Sequence, residues 1–575
     1  MRSIFLIKTF FIFLFLLAII ELKAEGTKQI MPTASSAGEL QIMTSFSSFA
    51  QVGCGVNDRL HIYIKTVGEK ICFGFGNTMS NTGATISGAN FQLRNAAGAI
   101  VMGPTAIPTT GAGYISTHDQ AVIGPNNLTG NAGGYTALTH TATMTGDYYI
   151  EFQYSGTSDR VRFKYFDIQV GGIANNEIDG RVWSKSWQFT SGSQNAEVTG
   201  YLHVYADDGI VTKVNFNGIQ PYVFVINCNP FGIYNTGNFT NDRKSVTSKV
   251  IAPQYKIFLS DPDPTVYPTG SFGSITGAVT TNSQCDGNLQ IYVPVNKAGK
   301  IDIFFNINPL PGSQPEDLSL TANVNVGLNT VTWNGLNGLG NPIPSGSVFN
   351  ITVTYINGLT NLPLYDPDTH VSGFIVDLIR PSGPKPAIFW DDSQVGGSSN
   401  LTGCVAITGC HSFPLSVGNN NTINTWWYAS STTSAPVLVN YRRSYSGTAT
   451  QSICEGDSLL FSGTWVSAAG TYTNTTLNQQ GCDSTSIVTL SLKPRPTVNL
   501  GPDTTACDGN PVTFNAGSGL GYTYAWSNGA ITQQVTVTNS GTYSVIVTNS
   551  QGCKRTDSVE FISLPMPGIL PIKHN

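Results

Sequence analysis

Short stretches in which apolar and polar residues alternate recur along the whole chain. Such a period-2 pattern places one face of an extended segment in a core and the other in solvent, so it predicts β-strands. Clear examples are residues 60–64 and 201–205, and the second is followed by the turn sequence Asp207-Asp208-Gly209 and another apolar run at 210–214. The pattern therefore predicts a β-hairpin over residues 201–214.

Aromatic residues mark further strands, which we predict at residues 147–152, 163–166, 180–189, 289–293, 301–304, 329–335 and 349–355. In the segment 180–189, Trp183 and Trp187 are an even number of residues apart, so we expect them on one face of a strand. Phe389-Trp390-Asp391-Asp392 and Thr425-Trp426-Trp427-Tyr428 predict two more aromatic strands.

Turn-rich stretches divide these strands into groups, and the predicted fold class is all-β, built of tandem β-sandwich (immunoglobulin-like) domains. Residues 25–50 are polar and are predicted to be a disordered lead-in to the first domain. The predicted segments are a signal peptide at 1–24, β-sandwich domains at 25–172 and 173–284, an immunoglobulin-like domain at 285–380, an aromatic-rich β segment at 381–450, two repeats at 451–494 and 495–563, and a tail at 564–575.

Composition supports the all-β prediction and limits the possible partners. Charged residues make up 11% of the 575 residues, so the chain is poor in the Glu, Lys and Arg on which helices draw. The 23 Tyr, 29 Phe and 8 Trp provide material for cores, which argues against global disorder. The formal net charge is −5 and no basic run is present, so no nucleic-acid partner is expected.

The N-terminus has the features of an export signal. Arg2 and Lys8 precede an apolar run at residues 10–20, and Ala24 supplies a small residue for cleavage. The run is shorter than the roughly 20 apolar residues that span a bilayer, so we favour cleavage near Ala24 over a membrane anchor. The mature chain is therefore predicted to be secreted, at the outer cell surface, without a transmembrane segment.

An even number of cysteines, ten, fits an oxidising compartment. Sequence does not determine their connectivity, and pairing between neighbours is the simplest hypothesis because each bond then stays within one predicted domain. The candidate pairs are Cys54 with Cys72, Cys228 with Cys285, Cys404 with Cys410, Cys454 with Cys482, and Cys507 with Cys553. Zinc binding is disfavoured, because no Cys-x2-Cys pair is present.

The C-terminal part contains an internal repeat. Cys454-Glu455-Gly456 and Cys507-Asp508-Gly509 are each followed by a Phe seven residues past the Cys, and a Gly-Thr-Tyr sequence later precedes Cys482 and Cys553 at equal spacing. We interpret each copy as a small sandwich in which the two cysteines close its ends. Trp465 and Trp526 are the candidate core aromatics.

Two segments resemble known families. Residues 285–378, with Trp333 and the following Asn/Gly-rich loop, resemble the immunoglobulin-like domain of flagellar hook-capping proteins, which implies a β-sandwich and no activity. The repeats, with Leu500-Gly501-Pro502-Asp503 and Tyr524-Ala525-Trp526-Ser527, resemble polycystic-kidney-type immunoglobulin-like repeats of secreted Bacteroidetes surface proteins, many of them adhesin-like or associated with gliding motility. That resemblance implies export by type IX secretion, although no C-terminal sorting domain is visible here.

Candidate chemistry is sparse. The sequence contains no G-x-S-x-G, H-E-x-x-H or P-loop motif, and the seven histidines are scattered. Four pairs of aspartates stand out: Asp207 with Asp208, Asp261 with Asp263, Asp366 with Asp368, and Asp391 with Asp392. We interpret them first as turn or surface residues, then as parts of calcium sites, and last as catalytic pairs.

The predicted function is a secreted cell-surface structural or adhesion protein that is not an enzyme, with surface glycans or proteins as partners and no cofactor other than a possible calcium ion. The first alternative is a carbohydrate-binding surface protein, with Trp183, Trp187, Trp426, Trp427 and Tyr428 as a platform for sugar rings; for these residues a buried core is the simpler interpretation. The second alternative is a glycan-active enzyme whose carboxylates come together from distant positions.

Overall fold

We describe a computed structural model of the chain. It describes residues 24–43, 47–80, 82–156, 160–193, 195–312, 314–405, 407–566 and 568. The predicted signal peptide, apart from Ala24, and most of the predicted tail lie outside these residues. Within the described ranges no helix is long and apolar enough to cross a membrane.

The chain forms two compact units. The first comprises residues 1–282, 289–342 and 348–439, and the second comprises residues 283–288, 343–347 and 440–575. The described part of both is built of strands with four short α-helices, so the all-β prediction is confirmed. The helices are α1 Thr27–Ile30, α2 His118–Ile123, α3 Phe239–Asp242 and α4 Leu415–Gly418, with 3₁₀ turns at Val56–Asp58 and Ser393–Val395.

The strands up to residue 440 are β1 Glu39–Met43, β2 Leu60–Ile64, β3 Lys70–Phe75, β4 Thr78–Met79, β5 Ala89–Arg94, β6 Ile100–Ala106, β7 Leu138–Thr141, β8 Gly146–Tyr154, β9 Arg160–Phe163, β10 Phe166–Gly171, β11 Glu177–Ile178, β12 Val182–Ser184, β13 Ser186–Thr190, β14 Tyr201–Tyr205, β15 Val211–Asn215, β16 Val223–Asn227, β17 Lys256–Phe258, β18 Thr280–Ser283, β19 Leu289–Val295, β20 Gly299–Asn306, β21 Leu318–Val324, β22 Gly327–Trp333, β23 Val348–Asn357, β24 Thr360–Tyr365, β25 Asp368–His370, β26 Ile375–Arg380, β27 Ile388–Asp391, β28 Ser399–Cys404, β29 Phe413–Pro414, β30 Thr422–Trp427, β31 Ser430–Thr433 and β32 Val437–Asn440. The later strands are β33 Tyr445–Cys454, β34 Leu459–Phe461, β35 Thr464–Val466, β36 Gly470–Leu477, β37 Asp483–Lys493, β38 Thr504–Cys507, β39 Val512–Asn515, β40 Thr523–Trp526, β41 Gln534–Val537, β42 Gly541–Thr548 and β43 Lys554–Leu564.

Two nine-stranded sheets dominate the first unit. The first sheet has the order β28-β27-β30-β24-β16-β13-β1-β9-β4, and the second sheet has the order β26-β15-β14-β17-β12-β2-β8-β5-β6. One hydrophobic core runs from Ile30 to Trp427 and includes residues of both sheets. Strands from the predicted segments 25–172, 173–284, 285–380 and 381–450 thus share the first sheet, so their hydrogen bonds cross the predicted domain boundaries.

Most of the strands that local alternation predicts are present at the predicted positions. β14 and β15 pair antiparallel around Asp207-Asp208-Gly209, and Gly209 has the positive φ of 78° that this turn requires, which confirms the hairpin. Two predicted strands are wrong because the chain changes sheet within them. The segment 163–166 is divided between β9 and β10, and the segment 180–189 breaks at Lys185 into β12 of the second sheet and β13 of the first.

The prediction of a disordered lead-in at residues 25–50 is also wrong. β1 lies inside the first sheet, paired with β9 on one side and β13 on the other. Ile30 and Leu40 are fully buried in the large core. The polar composition of this segment misleads because several of its polar groups, such as Thr27 and Gln29, are buried and hydrogen-bonded.

The segment that resembles a hook-capping domain contains β19 to β23. β20 pairs with β21 and β23, and β19 pairs with β22. Trp333 packs against Phe305 and Phe349, with ring centroids 4.6 Å and 5.8 Å away. The side chains of β20 alternate strictly, so Ile301, Ile303 and Phe305 are buried while the residues between them face the other way.

In the second unit, each repeat folds as two small sheets, as predicted. The first repeat has β33-β37-β36 and β34-β35, and the second has β38-β43-β42-β40 and β39-β41. Trp526 is 4% exposed and belongs to the core of the second repeat, which confirms its predicted role. Trp465 is 66% exposed, so its prediction as a core aromatic is wrong.

Three disulfides are present, and they correct the predicted connectivity. Cys404–Cys410 is bonded as predicted, whereas Cys285 pairs with Cys482 and Cys454 pairs with Cys553. The predicted neighbour pairs Cys54–Cys72, Cys228–Cys285, Cys454–Cys482 and Cys507–Cys553 are therefore wrong. Cys54, Cys72, Cys228 and Cys507 carry free thiols. The physical reason is the strand register. Cys454 pairs with Lys493 at the end of β37, whereas Cys482 lies just before that strand begins. In the same way Cys507 pairs with Leu564 at the end of β43, whereas Cys553 lies just before its start, so the two cysteines of each repeat are at opposite ends of its sheet.

The thiols give a direct test of this arrangement. We expect one thiol, Cys507, to react with Ellman's reagent in the native protein, because it is exposed while the other three are buried. Burial raises the pKa of Cys54 to about 11 and also raises the pKa of Cys72 and of Cys228. At neutral pH this lowers the reactive thiolate fraction of Cys54 by about a hundredfold. Unfolding without reductant should expose four thiols; finding none would support the fully paired prediction instead.

Candidate functional site

A cavity in the first unit brings together side chains from five separate parts of the chain. β27 and β30 pair antiparallel with Phe389 opposite Trp426. Asp302 lies on the face of β20 that points away from the buried Ile301 and Ile303. Arg243 directly follows the short helix α3. The cavity has a volume of about 300 Å³ and is lined by Thr240, Arg243, Asp302, Phe304, Ser319, Thr354, Ile356, Phe389, Asp391, Leu401, Trp426 and Tyr428.

A second cavity extends this site. Its volume is about 410 Å³, and it shares Thr240, Phe304, Asp391 and Leu401 with the first. Its other lining residues include Asn238, Asn241, Lys244, Gln314 and Asp317. We call the two cavities together the groove. Its far part is thus lined by amide, carboxylate and ammonium groups together with apolar side chains such as Leu318 and Leu339, and its near part includes aromatic rings.

The aromatic wall of the groove is a stack of three rings. Phe389 lies between Trp426 and Tyr428, with ring centroids 5.9 Å and 5.2 Å away and interplanar angles of 13° and 23°. The guanidinium carbon of Arg243 lies 5.0 Å from the Trp426 ring centroid, within cation–π range. The stack is rigid because Trp426 is 1% exposed and belongs to a small apolar cluster with Phe239, Ile356 and Leu359.

Three buried polar atoms of the groove have no hydrogen-bond partner in the part of the chain that the structure describes. They are Nε of Arg243, Nε1 of Trp426 and Oδ1 of Asp302. A buried polar group left without a partner costs about 1–3 kcal/mol, so native proteins keep few of them. Two of these atoms are donors and one is an acceptor, a set that hydroxyl groups of a ligand can satisfy because each hydroxyl both donates and accepts.

The groove contains two buried side chains of opposite charge, Asp302 and Arg243. Burial raises the pKa of Asp302 to about 6, and the positive charge of Arg243 and a hydrogen bond with Ser319 limit the rise. Burial lowers the pKa of Arg243, and the charge of Asp302 counters this. The groove therefore holds a cation and a carboxyl group that is ionised above about pH 6.

The predicted aromatic platform is not formed. Trp183 and Trp187 lie in different sheets and are 3% and 0% exposed. Trp183 stacks on His61 with centroids 4.0 Å apart, and Trp187 donates from Nε1 to the Ile257 carbonyl at 2.9 Å. Trp427 is buried on the other face of β30, where it donates to Thr212. Of the predicted platform, Trp426 and Tyr428 line the groove.

Most of the predicted aspartate pairs satisfy turns and neighbouring side chains. Asp208 accepts from the Gly358 N–H at 2.6 Å, Asp366 from the Asn420 N–H at 2.7 Å, and Asp368 from the Tyr222 N–H at 2.9 Å. Asp261 and Asp263 accept from Arg380 and Arg181, respectively. Within the described ranges, no group of three or more His, Cys, Asp or Glu side chains could hold a metal ion. Calcium binding by the chain stays an untested prediction.

Asp391 and Asp392 differ from the other pairs. Asp391 lines both cavities of the groove. Asp392 is buried and accepts from Ser245 Oγ at 2.6 Å while it contacts His411 Nε2 at 2.8 Å. The other imidazole nitrogen of His411 hydrogen-bonds to Thr425 Oγ1 at 2.8 Å, so a hydroxyl, an imidazole and a carboxylate form one chain. Thr425 and Asp392 are 0% exposed and His411 is 1% exposed, so this chain lies in the core, out of reach of a substrate.

Arg243 and Asp302 were missed by sequence reasoning. Asp302 had a weak signal, since it is the acidic residue within the apolar alternation of residues 301–304. The sequence gives no local signal for Arg243, because Asp302 and Trp426, with which it lines the groove, are far away in the sequence.

No protein-family model matches the sequence, and no curated protein matches it. Solved structures with some likeness include immunoglobulin domains 1–4 of Sidekick-1 (9% identity, 50% of this chain and 76% of that chain covered, TM-score 0.10). Others are the I9–I11 tandem of titin (10% identity, 51% and 100% covered, TM-score 0.12) and a structure from a 1.5-MDa bacterial ice-binding adhesin (11% identity, 51% and 99% covered, TM-score 0.12). These scores are too low to carry an argument about this chain.

Proposed function

We propose that this chain is a secreted adhesion protein of the cell surface and that its groove binds a carbohydrate. The predicted signal peptide and the three disulfides support an extracellular location, because disulfides persist in oxidising compartments. The small disulfide-bonded sandwiches of the second unit suit a structural role, since they consist of strands and turns with modest cores.

The observation that carries the proposal is the aromatic stack beside unpartnered polar atoms. A sugar ring has an apolar face that can lie on an aromatic ring and hydroxyls at its rim that need donors and acceptors. Tyr428, which is half-buried at the end of the stack, provides the aromatic surface, and the buried Phe389 and Trp426 support it from behind. Arg243 and Asp302 provide polar atoms next to it. The adjoining cavity, with its amide side chains, gives room for a second sugar unit.

A glycan array followed by calorimetry tests this proposal with the full chain. We expect Tyr428→Ala and Asp302→Ala each to weaken binding by at least about tenfold, because they remove a stacking surface and a buried acceptor. Tyr234→Ala is the matched control, since Tyr234 is 46% exposed and does not line the groove, and it should bind like the wild type. Thermal unfolding of each variant separates lost binding from lost folding. A wild-type chain that binds no glycan, or folded variants that bind unchanged, would contradict the proposal.

A second candidate is glycan hydrolysis, because the groove holds three aspartates, Asp302, Asp317 and Asp391, and the raised pKa of Asp302 suits a general acid. Incubating the bound glycan with the wild type and with Asp391→Asn decides this. Release of new reducing ends that Asp391→Asn abolishes would support hydrolysis, whereas an intact glycan after prolonged incubation would remove this candidate and leave the binding proposal standing.

A further inference from the structure

The residue that follows the predicted cleavage site is buried. Glu25 is 0% exposed, and its backbone N–H donates to Oδ1 of Asp167 at 3.0 Å. Asp167 is also 0% exposed and lies within β10. The first residue of the predicted mature chain therefore places its nitrogen against a buried carboxylate.

In the part of the chain that the structure describes, both acidic and basic groups act on Asp167. Tyr135 donates its hydroxyl to Oδ2 at 2.8 Å. Burial raises the pKa of Asp167 to about 8, against the hydrogen bonds from Tyr135 and Glu25; Glu177 raises it further, and Lys28 lowers it slightly. Burial and the charges of Asp179 and Asp167 also raise the pKa of the Glu25 side chain. A cation at this point would offset several acidic groups at once.

We propose that cleavage after Ala24 converts the Glu25 N–H into an α-ammonium group that forms a buried ion pair with Asp167. In this step a processing endopeptidase of the export machinery uses one water molecule to break the Ala24–Glu25 peptide bond. Ala24 leaves with a carboxylate, and the Glu25 nitrogen takes up protons. An α-amino group has a pKa of about 7.7–8.0. Burial disfavours the charge on this amine and on Asp167, and each group offsets that cost by giving the other an adjacent opposite charge.

Contacts beyond the cleavage site hold Glu25 in position. Its carbonyl accepts from the Ile168 N–H at 2.9 Å, and its side-chain Oε1 accepts from the Gly180 N–H at 2.9 Å. Cleavage removes the Ala24 carbonyl, which accepts from Gln29 Nε2, but that amide keeps its bond to Ser260 Oγ at 3.0 Å. The new terminus thus stays beside Asp167 without help from residues 1–24.

Ala24 and Glu25 are both 0% exposed, so cleavage has to precede docking of this segment, and the pairing forms when the new terminus folds in beside Asp167. In the precursor, Asp167 receives a neutral N–H; in the mature chain it receives an ammonium group, and charge-assisted hydrogen bonds are about twice as strong as neutral ones. The ion pair would join α1, at the start of the mature chain, to β10. The pairing rests on the secretion proposed above and does not depend on what the groove binds.

The test compares two forms of the chain, each with and without Asp167→Asn. One form begins at Glu25 with a free amine, released from an N-terminal fusion by a protease that leaves no extra residue. The other keeps residues 22–24 after an initiating Met. We expect the Glu25 form to melt several degrees higher and the difference to vanish with Asp167→Asn. Asp263→Asn is the control, because it removes a different buried carboxylate and should lower both melting temperatures alike.

Amine labelling of the wild type gives a second readout that needs no variant to fold. The Glu25 amine should react at least tenfold more slowly with an amine-directed reagent in the native protein than in urea, whereas exposed lysines should react at similar rates. Equal melting temperatures of the two forms, a difference that survives Asp167→Asn, or rapid native labelling of the Glu25 amine would each overturn the proposal.

Discussion

We expect residues 25–172, expressed alone, to remain unfolded. β1 of this fragment would lose its pairing with β13, and β2 would lose its pairing with β12. Both strands would become open edges, and the apolar residues of the large core, such as Leu40 and Ile62, would face water. Since domains are stable by only about 5–15 kcal/mol, losing the other strands of both sheets should abolish folding. Circular dichroism and urea titration would show no cooperative transition.

The matched fragment is residues 25–439 with Cys285→Ser, because the disulfide partner of Cys285 is absent from it. It keeps every strand of the two nine-stranded sheets and should unfold cooperatively. If residues 25–172 instead gave a sharp transition of their own, the predicted boundary at 172 would mark a true domain, and the shared sheets would contribute little to stability.

Sequence reasoning predicted well those features that depend on residues close together in the chain. The hairpin of β14 and β15 and the strands β19, β20, β22 and β23 follow directly from alternation and turn residues, because the partners or the periodicity lie within a few residues. The internal repeat was equally readable, since two copies with the same spacing reinforce each other. These features depend on the chain's immediate neighbourhood, where backbone geometry dominates.

Sequence reasoning missed the features that depend on contacts between residues far apart in the chain. Alternation alone could not show that the chain changes sheet at Lys185, which separates Trp183 from Trp187. The groove depends on Arg243, Asp302 and Trp426, which no local pattern connects. Burial of residues 24–30 likewise depends on β10, more than 130 residues later, as the 142-residue separation of Glu25 from Asp167 shows.

The disulfides had a signal that was overlooked. Cys285-Asp286-Gly287 matches Cys454-Glu455-Gly456 and Cys507-Asp508-Gly509, so the chain holds three copies of this tripeptide. The first two bond to the cysteines that follow Gly481 and Gly552, and each bond therefore reaches past the nearest cysteine. Cysteines that begin this tripeptide thus bond to cysteines that follow a glycine, and each bond extends beyond its own repeat. Recognising these two classes of cysteine would have suggested the observed connectivity.

The second large effect is expected for Arg181, whose side chain is 2% exposed between two carboxylates. Its Nε donates to Asp263 at 2.6 Å, and its Nη1 lies 3.5 Å from Glu69 Oε2. Arg181→Met would leave both carboxylates buried without their cation. Breaking a buried pair by removing one partner costs about 3–5 kcal/mol, so we expect the free energy of unfolding to fall by that amount. Urea titration at pH 7 measures it.

Arg380→Met is the comparison, because Arg380 is 15% exposed but the Asp261 side chain with which it pairs is 44% exposed. Removing this cation leaves a carboxylate that water can reach, so the loss of stability should be smaller than for Arg181→Met. The pH dependence gives an independent check. Burial raises the pKa of Asp263, but hydrogen bonds from Thr265 and Arg181 outweigh it and hold the pKa below its usual value. Stability from this carboxylate is therefore present above its unfolded pKa of about 3.9 and is lost as the pH falls through its folded pKa. The difference in free energy of unfolding between the wild type and Arg181→Met should accordingly become smaller at acidic pH. Equal losses for the two arginine variants at pH 7 would show that the buried network adds no more than a partly exposed pair.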